Sequence, residues 1–161
     1  MGIEVQHAVA LDGVPSDADL VRFAEAALPD GDSGVEICLR VVDEAESRAL
    51  NREWRGKDAP TNVLSFPSSR PPGLPEAVEL PSLAGDVVLC APVIAREAQG
   101  QGKRPADHWA HLVIHGILHL RGFDHMQEEE AERMEAVERE LLAALDIADP
   151  YRDADAPAPG Q

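Results

Sequence analysis

Histidine is the residue whose number and spacing in this chain most directly suggest chemistry. Five of the six histidines fall between residues 108 and 125. At about 100° per residue, those at positions 108, 111, 115 and 119 occupy an arc about 80° wide on one face of a helix. His115 and His119 are four residues apart, so their imidazoles project from adjacent turns, close enough to bind one cation.

A third ligand would have to come from beyond this helix. Gly122 allows the chain to reverse, which would bring His125 towards His115 and His119 in the pattern H-x-x-x-H-x-x-G-x-x-H. Three neutral imidazoles suit zinc or a similar transition metal and leave one coordination position open, as in catalytic sites. The spacing therefore predicts one metal ion per chain, zinc or a similar transition metal.

Other polar residues lie near this triad, and the sequence leaves two interpretations of each. His108 and His111 lie on the same helix face. Each could orient a metal-binding histidine without contacting the metal, or could be an exposed polar residue. His111 could also bind the metal directly. Asp124 could orient an imidazole with its carboxylate or cap the last helix. The alternative for the whole set is a group of core histidines satisfied by main-chain carbonyls.

The same histidine spacing occurs in metzincin-type metalloproteases, which place a glutamate general base directly after the first histidine. Gly116 occupies that position here. Without a carboxylate, the water that attacks a peptide carbonyl would lack an obvious proton acceptor. A zinc peptidase or amidase is therefore the weaker alternative enzyme class.

The clearest basic cluster lies in residues 47–57, where four cationic side chains face a single acid, Glu53. The four are Arg48, Arg52, Arg55 and Lys57. In an acidic chain this cluster is a natural binding place for phosphates, because arginine can hold two phosphate oxygens in a bidentate fork. We therefore expect Arg52 and Lys57 to bind substrate. The alternative is a solvated helix end whose arginines pair with nearby acids.

Length and charge limit the class of protein. The 161 residues fit one domain, expected over residues 1–150 and followed by a disordered tail at 151–161. A net charge of −16 repels polyanions, so nonspecific binding to nucleic acid or anionic membranes is not expected. No apolar stretch is long enough for a membrane span, and the N-terminus lacks signal-peptide features. We expect a cytoplasmic protein in which Cys38 and Cys90 are reduced.

Hydrophobic periodicity indicates a chain of mixed α and β elements. The predicted strands are 3–10, 35–43, 61–66 and 85–91, and a surface excursion is expected at 67–81. The predicted helices are 17–28, 44–54, 92–99, 105–120 and about 126–145.

The last two helices have distinct characters. Helix 105–120 is apolar nearly all round and should be the buried centre of the fold. The final helix is amphipathic, and its residues Met134, Val137, Leu141 and Leu145 should face inward.

Three separated motifs resemble the YbeY family of metal-dependent endoribonucleases. They are the histidine segment 115–125, the basic segment 50–58 with its continuation 61–66, and Gly85-Asp86-Val87. The resemblance implies an α/β (α+β) fold in which a small mixed β-sheet packs with helices around a central buried metal-binding helix, in a zincin-like arrangement.

The family also implies a site and a role. Zinc would be held by His115, His119 and His125, and single-stranded RNA would be cleaved with Arg55 important for activity. The implied role is maturation of the 3′ end of 16S ribosomal RNA and ribosome quality control. Small-subunit ribosomal proteins and an assembly GTPase are the implied partners.

Our mechanistic hypothesis combines the metal with one arginine. The metal would polarise a phosphoryl oxygen or lower the pKa of a bound water, while Arg55 would hold a backbone phosphate. The attacking group could be water or the ribose 2′-OH. The alternative outside catalysis is a ribosome-assembly binding module whose metal only braces the fold.

Overall fold

The computed structural model describes six segments of the chain, 2–10, 13–28, 34–68, 83–123, 128–147 and 149–150. Within them are four strands and five helices. In chain order these are β1 (Gly2–His7), α1 (Asp17–Ala26), β2 (Val35–Val42), α2 (Glu44–Arg55), β3 (Val63–Pro67), β4 (Leu83–Cys90), α3 (Ala91–Gln101), α4 (Pro105–Leu120) and α5 (Glu128–Ala144). Every predicted element is present with its ends within three residues of the prediction, and the mixed α/β class is confirmed. Most of the predicted surface excursion and the tail at 151–161 lie outside the described residues.

The four strands form one mixed sheet in the order β1-β2-β4-β3. β1, β2 and β4 run parallel, and β3 runs antiparallel to β4 at the edge. The register pairs Val63 with Leu89 and Ser65 with Val87. β3 is therefore the edge strand, and among the described residues its outer side has no strand partner.

The two faces of the sheet are covered differently. Because alternate side chains of a strand point to opposite faces, Val87 and Leu89 join the main core beneath α1 and α4, whereas Val88 and Cys90 face the other side. On that second face, Leu50 of α2 packs against a smaller apolar cluster. Helix α4 thus lies on the more fully covered face.

Helix α4 is the buried centre of the fold, as its sequence predicts. Pro105 occupies its first turn, where proline removes no helical hydrogen bond. At the other end, the N–H of Gly122 (φ +97°) donates to the His119 carbonyl at 3.0 Å, and the N–H of Phe123 donates to the Leu118 carbonyl at 3.0 Å. This bond pair is a Schellman motif, so α4 ends in a turn at the predicted glycine. In the described segments, no helix combines the length and apolar character needed to cross a membrane.

Helix α4 approaches the sheet very closely at Gly116. A Cβ atom there would lie 2.5 Å from Val87 Cγ1 and 3.2 Å from Ser65 Oγ. The Ser65 hydroxyl donates a buried 2.9 Å hydrogen bond to the Gly116 carbonyl, which joins the helix to edge strand β3. Close packing therefore requires glycine, and the position has no room for the glutamate that metzincins carry.

Helix α5 packs its inner face against α4. The predicted inward residues are Met134, Val137, Leu141 and Leu145. The first is buried and the other three are partly buried against the core. Glu138 and Leu142 are also fully buried, four and eight residues after Met134. An acid in this apolar stripe is not anticipated by the hydrophobic pattern.

Both cysteines lie in the sheet, Cys38 in β2 and Cys90 at the end of β4, and both are free thiols as predicted. Burial raises the pKa of each thiol, which favours the neutral form. Each therefore behaves as a small apolar side chain.

We predict that Gly116→Ala lowers the free energy of unfolding by about 1–3 kcal/mol, because the added methyl group overlaps Val87 in a close-packed layer. Urea unfolding followed by circular dichroism measures the change. Gly100→Ala is the matched control, since Gly100 also lies in a helix but an added Cβ would meet nothing within 4 Å. The control should be neutral or stabilising by up to about 1 kcal/mol. Equal destabilisation by both substitutions would contradict the packing argument.

Candidate metal centre

Four histidines form one row along α4, as their spacing predicts. Successive ring centroids from His108 through His111 and His115 to His119 are 6.2, 6.2 and 4.6 Å apart. His108 and His111 are buried, whereas His115 and His119 are partly exposed. The interpretation of the first two as exposed polar residues is therefore wrong, and the row opens to solvent only at its C-terminal end.

His115 and His119 present their Nε2 atoms to one another at 3.1 Å. Two nitrogens bound at 2.0–2.1 Å to one tetrahedral ion would lie about 3.3–3.4 Å apart. The separation of the two Nε2 atoms is thus close to what a shared Zn²⁺ requires. The donor chemistry and the spacing of this pair both fit a metal ion.

The other nitrogen of His115 is fixed by α5. The Oε2 atom of Glu138 lies 2.9 Å from His115 Nδ1 and 3.3 Å from His111 Nε2, and the Glu138 side chain is 0% exposed. A buried carboxylate is costly unless it is paired or hydrogen-bonded, so the two imidazoles explain how α5 tolerates this acid. Sequence reasoning missed Glu138, although its position midway between Met134 and Leu142 on the inner face was the available signal.

The electrostatics around His111 favour a neutral imidazole. Burial lowers the pKa of His111 and outweighs the hydrogen bond and the charge of Glu138, which act in the opposite direction. His111, His115 and Glu138 bring three potential ligand atoms within 4.8 Å of one another, and this group could hold a metal ion. The described residues therefore offer two candidate metal positions that share His115, one facing solvent beside His119 and one buried at Glu138.

A cleft of about 780 Å³ opens beside the exposed end of the histidine row. Its walls come from α2 and the turn that follows it, from β3 and from the end of α4. The polar residues that line it include Asn51, Arg55, Lys57, Asn62, His115 and His119. Arg55 is held there by a 3.0 Å hydrogen bond from Nη2 to the main-chain carbonyl of Ser65. The cleft therefore combines an imidazole pair with two cationic side chains.

The basic segment divides into paired and unpaired cations. Arg48 forms a bidentate ion pair with Asp58, with N–O distances of 2.7 and 3.0 Å. None of the ion pairs among the described residues involves Arg52, Arg55 or Lys57. Arg52 is exposed but does not line the cleft. The solvated-helix interpretation holds for Arg48, and only Arg55 and Lys57 join the histidines in the cleft.

A second polar network, which sequence reasoning missed, lies behind the cleft wall. Glu97 of α3 accepts a hydrogen bond from the Asn62 amide at 3.1 Å and lies 2.9 Å from His108 Nε2. Burial raises the pKa of Glu97, but the hydrogen bonds from His108 and Asn62 outweigh burial, so the pKa lies below its ordinary value. Because Asn62 lines the cleft, the hydrogen bonds through Glu97 connect His108 to the cleft wall.

The connection between α4 and α5 carries the two remaining predicted residues. His125, the predicted third ligand, and Asp124, predicted to orient an imidazole or cap the helix, lie outside the described residues. Gly122 and Phe123, the last described residues before them, line the cleft. The chain therefore enters this connection at the wall of the cleft.

Comparison with known proteins identifies one family. Residues 18–146 match the family model described as Endoribonuclease YbeY. The chain is 56% identical over 155 residues to Endoribonuclease YbeY of Alkalilimnicola ehrlichii, covering 94% of this chain and 92% of the relative. It is 61% identical over 148 residues to Endoribonuclease YbeY of Halorhodospira halophila, covering 92% and 94%. The solution structure of TM1509 from Thermotoga maritima matches over 98% of this chain and 99% of that one, with a TM-score of 0.50 and 24% identity, which supports the fold alone.

We predict that Glu138→Gln weakens Zn²⁺ binding about 10- to 100-fold, because the amide keeps the shape but loses the charge that orients and polarises the His115 ring. Isothermal titration of the metal-stripped protein measures the affinity. Glu140→Gln, an exposed position on the same helix, is the matched control and should bind Zn²⁺ as the parent does. Equal Zn²⁺ affinities for the parent and both variants would show that Glu138 does not contribute to metal binding.

Proposed function

Because the chain belongs to the YbeY endoribonuclease family, we propose that it cleaves single-stranded RNA in the cleft formed by α2, β3 and α4. The observation that carries the proposal is that one cleft contains both a histidine pair and Arg55. The two histidines are separated by the distance that a shared metal ion requires, and Arg55 forms no ion pair with a carboxylate among the described residues. The proposed catalytic domain comprises residues 1–150, with 151–161 as a tail outside it.

The proposed cofactor is one Zn²⁺ per chain, held by His115, His119 and His125. Of the two candidate metal positions, the one beside His119 is favoured because it faces the cleft, where a substrate could reach an open coordination position. Metal-bound histidines commonly give their other ring N–H to a carboxylate, which is the relation of Glu138 to His115. His111 would then support the site through Glu138, and Asp124 would support it from the neighbouring loop.

The chain's own residues would position the phosphate. When bound, Zn²⁺ would supply a Lewis acid that activates a phosphoryl oxygen or a water molecule. Arg55 would hold a backbone phosphate with its guanidinium and stabilise the charge that develops in the transition state. Lys57 adds a second positive charge in the same cleft, and exposed Arg52 would attract the RNA backbone from outside it.

Gly116 argues against the peptidase alternative. In that chemistry a carboxylate follows the first metal ligand, but here the position faces Val87 and Ser65 of the sheet and has no room for a Cβ atom. A larger residue at position 116 would therefore disturb the packing of α4 on the sheet, so this position cannot supply a catalytic carboxylate to the cleft. For RNA cleavage, a bound metal would lower the pKa of the attacking water, so that no carboxylate would be needed at position 116.

The proposed biological substrate is 16S ribosomal RNA, in the maturation of its 3′ end and in ribosome quality control. The net charge of −16 supports a weak and salt-sensitive affinity of this protein for free RNA. Small-subunit ribosomal proteins and an assembly GTPase would then supply specificity, and the proposed location of the activity is the cytoplasm.

We predict that a chelator abolishes cleavage of a single-stranded RNA, because it removes the metal ion that is the proposed Lewis acid. Added Zn²⁺ should restore cleavage. Elemental analysis of the purified, dialysed and reloaded protein is measured beside the cleavage rate. Activity that persists at a metal content near zero would contradict the metal-dependent reaction and favour a structural role for the ion.

We predict that Arg55→Ala lowers kcat for RNA cleavage roughly a hundredfold, because it removes a preorganised donor from the transition state. Zn²⁺ content and thermal stability should stay close to those of the parent. Arg48→Ala is the matched control, since Arg48 lies on the same helix but is paired with Asp58 and does not line the cleft. The role of Arg55 is refuted if both variants cleave RNA at the parent rate.

A further inference from the structure

Trp54 is the one large apolar side chain of the described segments that is mostly exposed, at 61%. It lies in the last turn of α2, next to Arg55, and packs against Phe66 of β3. The two ring centroids are 6.1 Å apart and the ring planes meet at 67°, an edge-to-face contact. The indole is therefore held in place by an aromatic neighbour while most of its surface faces water.

A second groove, of about 840 Å³, runs from Trp54 across the less covered face of the sheet. Its lining includes Trp54, Phe66, Val88, Arg40, Glu4 and Asp86. Arg55, Ser65 and Pro67 line both this groove and the cleft that holds the histidines. The two depressions are therefore adjacent, and Arg55 lies at their common boundary.

We propose that Trp54 and Phe66 form a stacking site for one unpaired nucleobase of the RNA whose phosphate Arg55 holds. The inference rests on the proposed function and extends it to substrate recognition. Proteins bind single strands by combining a cation for the backbone with aromatic faces for the bases. Here the Arg55 guanidinium carbon lies 5.9 Å from the centre of the Phe66 ring, so the cation and the aromatic surface adjoin.

The charges of the groove favour a base over a longer stretch of backbone. Arg40 is bound by both carboxylate oxygens of Glu46, at 2.6 and 3.1 Å, and so offers little to a phosphate. Glu4 and Asp86 would repel phosphates, but their oxygens can accept hydrogen bonds from the amino groups of a base. The occupant that fits these charges is one nucleotide whose phosphate binds Arg55 and whose base stacks on Trp54.

The kinetic test compares three substitutions at Trp54 on a short single-stranded RNA. Trp54→Ala should raise KM about tenfold, within the roughly 5- to 150-fold range that loss of one base stack corresponds to, and leave kcat unchanged. Trp54→Phe should restore most of the affinity because it keeps an aromatic face. Trp54→Leu is the matched control, which keeps apolar bulk without a ring and should behave like alanine. Thermal unfolding of each variant verifies that the largely exposed site tolerates the change.

Fluorescence gives a readout that does not depend on cleavage. The chain has two tryptophans, and Trp109 is only 2% exposed, so quenching by added RNA reports mainly on Trp54. Titration of a single-stranded oligonucleotide into the metal-bound protein, read before cleavage proceeds, should quench the emission. An oligonucleotide of the same length built only of abasic nucleotides keeps the phosphates without the bases and should leave the emission unchanged.

The outcomes separate this inference from the proposed function. An unchanged KM for Trp54→Ala, or the absence of quenching, would overturn the stacking site even if the parent protein cleaves RNA. Rescue by leucine equal to rescue by phenylalanine would also overturn it, because apolar bulk without an aromatic ring would then be sufficient. Failure of the parent to cleave any RNA would instead refute the proposed function, while quenching by the strand that carries bases, but not by the abasic strand, would still support base stacking.

Discussion

The arrangement of the site depends on the close contact between α4 and the sheet at Gly116. Because a helix turns about 100° per residue, the backbone that touches Val87 and Ser65 turns the neighbouring His115 away from the sheet. Ser65 connects the two halves of the site, since its hydroxyl binds the Gly116 carbonyl and its own carbonyl accepts from Arg55. One residue of the edge strand thus fixes both the helix that carries the imidazoles and the arginine that faces them.

A second constraint is the charge of Glu138 inside the core. Its carboxylate is excluded from water and lies between His111 and His115, so the rotamers of the two rings and the register of α5 are set together. A polar network inside a core specifies geometry more sharply than apolar contacts, because leaving any member without a partner is costly. Helix α5 therefore holds His115 in one orientation as well as closing the core.

Much of this architecture could be predicted from the sequence where the signals are local. Pro105 and Gly122 bracket α4, and the helical period alone puts the histidines in a row. Glu138 could not be predicted in the same way, because its burial depends on an imidazole 23 residues earlier in the chain, and hydrophobic patterns assign glutamate to the surface. The pairing of Arg48 with Asp58 likewise depends on a tertiary turn and not on composition.

The hydrogen bond between Arg55 and the edge strand also bears on the entropy of binding. An arginine side chain has many rotamers, and immobilising a free one on a ligand costs on the order of 0.5–1.5 kcal/mol. Because one of its five N–H donors is already engaged by the Ser65 carbonyl, part of that freedom is surrendered when the protein folds. The four remaining donors meet an anion from a side chain that is already ordered. The net negative charge of the molecule repels polyanions. Because the Arg55 side chain is already ordered, a modest local attraction is enough for it to bind an anion.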